Sequence, residues 1–294
     1  MKKHLGIILG LLGGIVPAAM ADTASPTAQQ APSEEQLMAM ERDAHSGLIL
    51  ITAMVNEVPM RMMLDTGATH TILHKDSAAK LQNVMWLNTD NIVFSSNSSQ
   101  RPRMLVTTLQ AGPGLSPRHL FAVMDLSAVH SMMSEKIDGI IGMDVLGSLP
   151  FTFDFRKGEF YWGIPENTAM APLYGTMERG GRMMVAAKNG GKVIKLLLDT
   201  GSVITRVPAD AWSEGSAGEI AARLGNVDTT KNVTVEEGKP GELEVAPGVT
   251  LQGVQPLLNK GNESRLLGID ALKESTLLHL PTEDSNYGKF FLVP

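Results

Sequence analysis

Asp65-Thr66-Gly67 and Asp199-Thr200-Gly201 each close an apolar run with a carboxylate, a hydroxyl and a glycine. Two carboxylates brought close together cannot both ionise freely, because each negative charge raises the pKa of the other. One then stays charged as a base while its partner stays protonated as an acid. Such a pair can take a proton from water while giving one to a carbonyl oxygen, which is what attack on an unactivated amide requires. The two groups would titrate as a unit. Glycine at 67 and 201 allows a sharp turn and offers an unshielded N–H to the carboxylate.

The elements that must position these acids occur twice. Gly47 to Asp65 and Gly181 to Asp199 have equal length, and each reads as an apolar strand, a turn and a second apolar strand. The turns fall at Asn56-Glu57 and at Asn189-Gly190-Gly191, and Asn-Gly is a strong hairpin signal. Beyond the acids, Thr71-Ile72-Leu73 matches Ile204-Thr205-Arg206-Val207, and Asp76 and Asp210 are expected to cap short helices. A second shared segment follows, Ile140-Ile141-Gly142 in one half and Leu266-Leu267-Gly268 in the other. The first half ends in a hairpin pattern, Phe151 to Phe155 and Glu159 to Trp162 around Arg156-Lys157-Gly158. The second ends in Thr276 to Leu280, a longer loop and Lys289 to Val293. Pro165 to Pro172 interrupts the periodicity between the halves.

Two Asp-Thr-Gly turns, each in register with an apolar-apolar-Gly segment, resemble the aspartic peptidases of the retropepsin and pepsin type, over roughly residues 47–163 and 181–293. The resemblance implies a mostly β fold of two pseudo-twofold-related acid-protease-like lobes with short helices, residues 44–167 and 168–294, in a bacterial exported single-chain form. It implies an aspartic endopeptidase that hydrolyses peptide or protein substrates with water activated between Asp65 and Asp199, using no cofactor and no metal. One chain carries both halves, so a monomer is expected. Thr66, Gly67, Ala68, Thr200, Gly201 and Ser202 would form the supporting loops, with the two threonine hydroxyls each holding the other half's loop. Leu64, Leu198, Ile141-Gly142 and Leu267-Gly268 would make a dry floor. A β-hairpin flap is expected between the two shared segments. Ile92 to Val106, with its polar tip at Asn97, Ser98 and Ser99, is preferred over the second-half counterpart around Asn232 to Pro240. The alternative is a catalytically silent peptide-binding protein of the same fold in the cell envelope, and the intact aspartates, threonines and glycines speak against it. Glycoside hydrolysis would leave the duplicated Thr-Gly context unexplained.

Ser202 follows the second motif where Ala68 follows the first. A hydroxyl donated to a carboxylate lowers its pKa and alanine cannot donate one, so an optimum in mildly acid to near-neutral buffer is expected.

Composition sets the compartment. Lys2 and Lys3 precede an apolar run from Leu5 to Val16 that closes in Ala19-Met20-Ala21, a secretory signal peptide over residues 1–21 with cleavage before Asp22. The run is too short to span a bilayer. A periplasmic or secreted protein without a membrane span is therefore expected. Residues 22–43 read as a flexible leader, rich in Ala, Pro, Ser, Thr and Gln up to Glu35, with a short helix expected within Glu34 to Arg42. The formal charge of −6 becomes more negative without Lys2 and Lys3 and argues against a nucleic-acid partner. With no cysteine, stability must come from burial and sheet hydrogen bonds. His70 and His74 lack a third ligand nearby for a metal, and the doublets Met62-Met63, Met132-Met133 and Met183-Met184 read as core filling.

Overall fold

The structure is a computed structural model that describes residues 37–87, 102–165, 169–178, 180–226, 229–260, 264–282 and 285–293. The expected signal peptide and most of the expected leader lie outside these residues.

In the first half, the hairpin Ile49–Val55 and Val58–Leu64 turns at Asn56 and Glu57, both at positive φ. Alternation along these strands buries one side of each, so Met62 and Met63 face opposite ways into two separate cores. Val58–Leu64 then pairs in parallel with Gly139–Ile141, which runs antiparallel to Ile72–His74. Ile72–His74 pairs in parallel with Gly114–Met124, and that strand folds back on Arg103–Ala111.

The second half repeats the plan. Lys192–Leu198, after its turn at Gly190 and Gly191, pairs in parallel with Leu266–Leu267, which runs antiparallel to Arg206–Pro208. Arg206–Pro208 pairs in parallel with Leu257–Asn259, and Thr230–Gly238 and Ser216–Gly225 follow antiparallel. In both halves, therefore, the strand that ends one residue before the motif aspartate lies beside the strand of the apolar-apolar-Gly segment. Leu64 sits beside Ile141 and Leu198 beside Leu267, all four with no exposed surface. Burying side chains of this size contributes about 1.5–3 kcal/mol each.

The halves are joined by a six-stranded sheet. Phe151–Asp154 of the first half pairs antiparallel with Thr276–Thr282 of the second, Phe151 opposite His279. Aromatic rings pack this seam, with Phe151 stacked on His279 at 5.0 Å and edge-on to Phe290 at 6.0 Å. The closing hairpin of the second half is longer in its strands and shorter in its loop than expected. Pairing carries on past Leu280 through a bulge to Thr282 and Ser285.

Two expectations are corrected. The segment Leu37 to Arg42 is not helical. Leu37–Ala39 pairs with Glu159–Trp162 and Glu41–Arg42 pairs with Ile49–Val55, because edge strands of two sheets offer backbone partners that outweigh local helix propensity. The end of the leader is likewise anchored. Asp43 is 1 % exposed and accepts hydrogen bonds from the backbone and hydroxyl of Ser46 and of Ser134. Asp76 and Asp210 do not cap helices either. They lie inside the first turns of Lys75–Ala78 and Ala209–Ala211, where a negative charge still suits the positive end of the helix dipole. Among the described residues no helix is long and apolar enough to cross a membrane.

Burial alone would raise the Asp43 pKa, but the donors from Ser134 and Ser46 overcome it and hold the carboxyl well below its ordinary range. A carboxyl depressed in this way stabilises the fold above the unfolded-state pKa, and that stability is lost as pH falls towards the folded-state value. Asp43→Asn is expected to cost about 1.5–3 kcal/mol at pH 7 in denaturant unfolding. The difference from the parent should shrink steadily below about pH 4.

Candidate active site

The two motif turns meet where the halves join. Thr66 N–H donates to Thr200 Oγ1 at 3.0 Å and Thr200 N–H donates to Thr66 Oγ1 at 3.1 Å. Each hydroxyl then donates onward across the axis, Thr66 Oγ1 to Leu198 O and Thr200 Oγ1 to Leu64 O, both at 2.9 Å. Each threonine thus holds the backbone directly before the other half's aspartate, and both are buried.

Glycine is required at the next position for close approach. A Cβ on Gly67 would stand 2.7 Å from Asp199 Cγ, and one on Gly201 would stand 2.5 Å from Asp65 Cγ. Each glycine therefore faces the opposite carboxyl. Gly67 and Ala68 also donate backbone N–H bonds to Asp65 Oδ1 at 2.7 and 3.1 Å.

The carboxyls of Asp65 and Asp199 are in hydrogen-bond contact with each other. Both pKa values are raised. Burial is the main cause for each, and for Asp199, which lies well above the ordinary range, the neighbouring Asp65 charge adds to it. Backbone donors, from Gly67 first for Asp65 and from Gly201 for Asp199, act in the opposite direction.

Ser202 does not play the part its position suggested. Its hydroxyl donates to Ile204 O at 3.0 Å, within its own loop, and its backbone N–H donates to Asp199 O. A single staggered choice at χ1 decides whether a serine hydroxyl turns toward the acid or toward the chain, and the sequence does not encode it. Both motif loops therefore lack a hydroxyl donor at this position.

The second shared segment carries residues whose role sequence reading missed. Thr71 donates through its backbone N–H and its hydroxyl to Asp144, at 2.9 and 2.8 Å, and accepts from Gly142 N–H at 3.2 Å. Thr205 does the same with Asp270, at 2.9 and 2.7 Å, and with Gly268 N–H at 3.1 Å. The signal was available, since in each half the threonine stands at one interval past the motif aspartate and the acid two residues past the glycine. Asp65 N–H donates to Ile141 O and Asp199 N–H to Leu267 O, which ties each motif to this floor.

A cleft of about 450 Å³ opens above the pair and is lined by both halves. The hairpin of Ser216–Gly225 and Thr230–Gly238 reaches from the second half to the first. Arg223 donates to Ser131 O at 2.9 Å and to Ser131 Oγ at 3.0 Å, just past the short helix Ser127–His130. Leu224, Gly225 and Asn226 at its end line the cleft, as does Met132. Met132 is thus part of the cleft wall, whereas Met62, Met63, Met133 and Met183 are buried as expected. The polar tip at Asn97, Ser98 and Ser99 lies outside the described residues. His70 is exposed at the cleft, while His74 is buried, accepts from Leu126 N–H at 3.0 Å and packs on His130. Among the described residues no group of side chains could hold a metal ion.

Thr200→Val would leave Thr66 N–H and Leu64 O buried without their partner. A loss of about 2–4 kcal/mol in unfolding free energy is expected, with Thr200→Ser retaining most of the stability because it keeps the hydroxyl.

Comparison with known proteins agrees with this geometry. Residues 51–145 match the family described as aspartyl protease. No curated protein matches the sequence. Among solved structures, the crystal structure of basic 7S globulin from soybean superposes with a TM-score of 0.53 at 13 % identity, covering 87 % of this chain and 93 % of that one. At that identity the likeness is one of fold. The first half of the chain is thus similar to the aspartyl protease family over residues 51–145, and the chain has the two-lobed acid-protease-like fold.

Proposed function

We propose that the protein is an aspartic endopeptidase whose catalytic residues are Asp65 and Asp199. The observation that carries this reading is the contact of the two carboxyls at the floor of a cleft, each facing the other half's glycine. A water held between them loses a proton to the ionised carboxyl as its oxygen attacks the peptide carbonyl. The protonated partner gives its proton to the carbonyl oxygen. Collapse of the resulting diol breaks the C–N bond as the amine leaves with the proton of the protonated carboxyl, while a diol hydroxyl gives its proton to the ionised carboxyl, which restores the singly protonated state. Thr66 and Thr200 touch no substrate in this scheme and are positioning residues, since they fix the separation on which the shared proton depends.

Export to the periplasm or beyond belongs to the same proposal and is supported by the basic, apolar and small-residue pattern of residues 1–21. Peptides or proteins met there would be the substrates. One chain supplies both acids, which supports action as a monomer.

The raised pKa values carry a sign for activity and another for stability. The singly protonated pair persists to higher pH than an ordinary carboxyl would allow, so the rate should be greatest above about pH 4, the ordinary carboxylate value. A profile peaking below about pH 3 would overturn this. A carboxyl whose folded-state pKa is raised costs stability as pH rises through its unfolded-state value towards the folded one. Asp199→Asn, which removes the buried like-charge pair, is therefore expected to abolish peptide cleavage and to raise Tm at pH 7 by a few degrees, an advantage that vanishes below about pH 4. Cleavage undiminished in both Asp65→Asn and Asp199→Asn would place the activity elsewhere. No cleavage by the parent at any pH would leave a peptide-binding protein.

A further inference from the structure

The pseudo-twofold relation makes the two walls of the cleft comparable residue by residue. Leu48 precedes Asp65 by the interval at which Arg182 precedes Asp199, and Ile72 follows Asp65 by the interval at which Arg206 follows Asp199. All four line the cleft. The duplication has therefore placed aliphatic side chains on one wall and guanidinium groups at the same two positions on the other.

The first-half wall is dry. Leu48 is 4 % exposed and Ile72 7 %, and Met63, Val129 and Ile140 extend the same surface. The second-half wall is cationic. Arg182 donates from Nη2 to Glu178 Oε2 at 3.1 Å, while its Nε is buried with no hydrogen-bond partner among the described residues. Arg206 stands close enough to Asp199 for its charge to be felt there. Apart from Asp65 and Asp199, no acidic side chain lines the cleft among the described residues, in a chain whose formal charge is −6. Arg223 is a different case, because Ser131 already takes both of its terminal nitrogens and it serves to fasten the hairpin.

A scissile bond placed over the pair lies on the pseudo-twofold axis, so the residues before and after it fall to opposite walls. We propose that the cleft selects peptides with a bulky apolar residue on one side of the scissile bond and an aspartate or glutamate on the other, the acid being held by Arg182 and Arg206. The planar guanidinium fork matches a carboxylate with two parallel hydrogen bonds and stays charged at every working pH. The raised pKa values of the pair fit this substrate, because they keep a shared proton available at a pH where the substrate carboxylate is ionised.

This selectivity rests on the hydrolytic reading, and the test separates the two. Matched peptides in which Glu is exchanged for Gln at each position flanking the scissile bond are compared by kcat/KM within one protein preparation. The Glu peptide is expected to be favoured by about tenfold at a position on one side of the bond, as a charge-assisted hydrogen bond would give. Arg182→Leu and Arg206→Ile, which install the residues of the opposite wall, should each reduce that ratio, and the double variant should bring it close to unity. Because the ratio is taken within each variant, a smaller folded fraction does not change it. Equal rates for Glu and Gln peptides at every position, or a preference untouched in the double variant, would overturn the proposal. If no peptide is cut at all, the hydrolytic reading fails. Fluorescence anisotropy of labelled Glu and Gln peptides then reads selectivity directly. Tighter Glu binding that is lost in Arg206→Ile supports it, and equal affinities sink it.

Discussion

The reciprocal clasp of Thr66 and Thr200 is the constraint on which the rest of the molecule depends. Four hydrogen bonds link two loops that are far apart in the chain, and each ends on the backbone beside an aspartate. Two acids that repel one another when ionised cannot hold themselves together. Their closeness must be imposed by neutral groups whose bonding is insensitive to pH, and hydroxyl-to-amide bonds in a buried site meet that need. The aromatic seam around Phe151, His279 and Phe290 works toward the same end at a distance, since it fixes the angle at which the halves approach.

Beneath the clasp, each motif is backed by an identical device, a threonine bonded twice to an aspartate and once to a glycine N–H. Asp144 and Asp270 carry the same chemical group as the pair above them, yet they are tied down by donors and do not meet each other. Glycine at 142 and 268 is needed there because a Cβ would press into the backbone at His70 or Ile204 within 3 Å. The distinction between structural and reactive carboxylates in this protein is thus one of partners, not of residue type.

Much of this was legible in the sequence because it was written twice. Equal spacing from Gly47 to Asp65 and from Gly181 to Asp199 revealed the hairpins, and the paired apolar-apolar-Gly segments revealed the floor. What escaped reading has a physical cause in each case. Leu37 to Arg42 has helical composition and becomes strand only because distant edges at Glu159–Trp162 and Ile49–Val55 offer it partners. Asp76 and Asp210 suit a cap by type, but the helices begin earlier than a single sequence shows. Ser202 was placed correctly and aimed wrongly, since its rotamer is set by Ile204 O and not by its spacing from Asp199.

The Ser202 correction strengthens the electrostatic picture. With its hydroxyl turned away and alanine at 68, the carboxyls are stabilised in their charged forms mainly by backbone N–H groups, and Asp65 also by its hydrogen bond with Asp199. Burial outweighs these donors, and at Asp199 the Asp65 charge adds to it, which is why the pair is raised and not lowered. The contrast with Asp43 makes the point within one molecule. Its four donors from Ser46 and Ser134 reverse the effect of burial and drive its pKa down. The balance between burial and the donors around it therefore decides whether a carboxyl is held below or above its ordinary range.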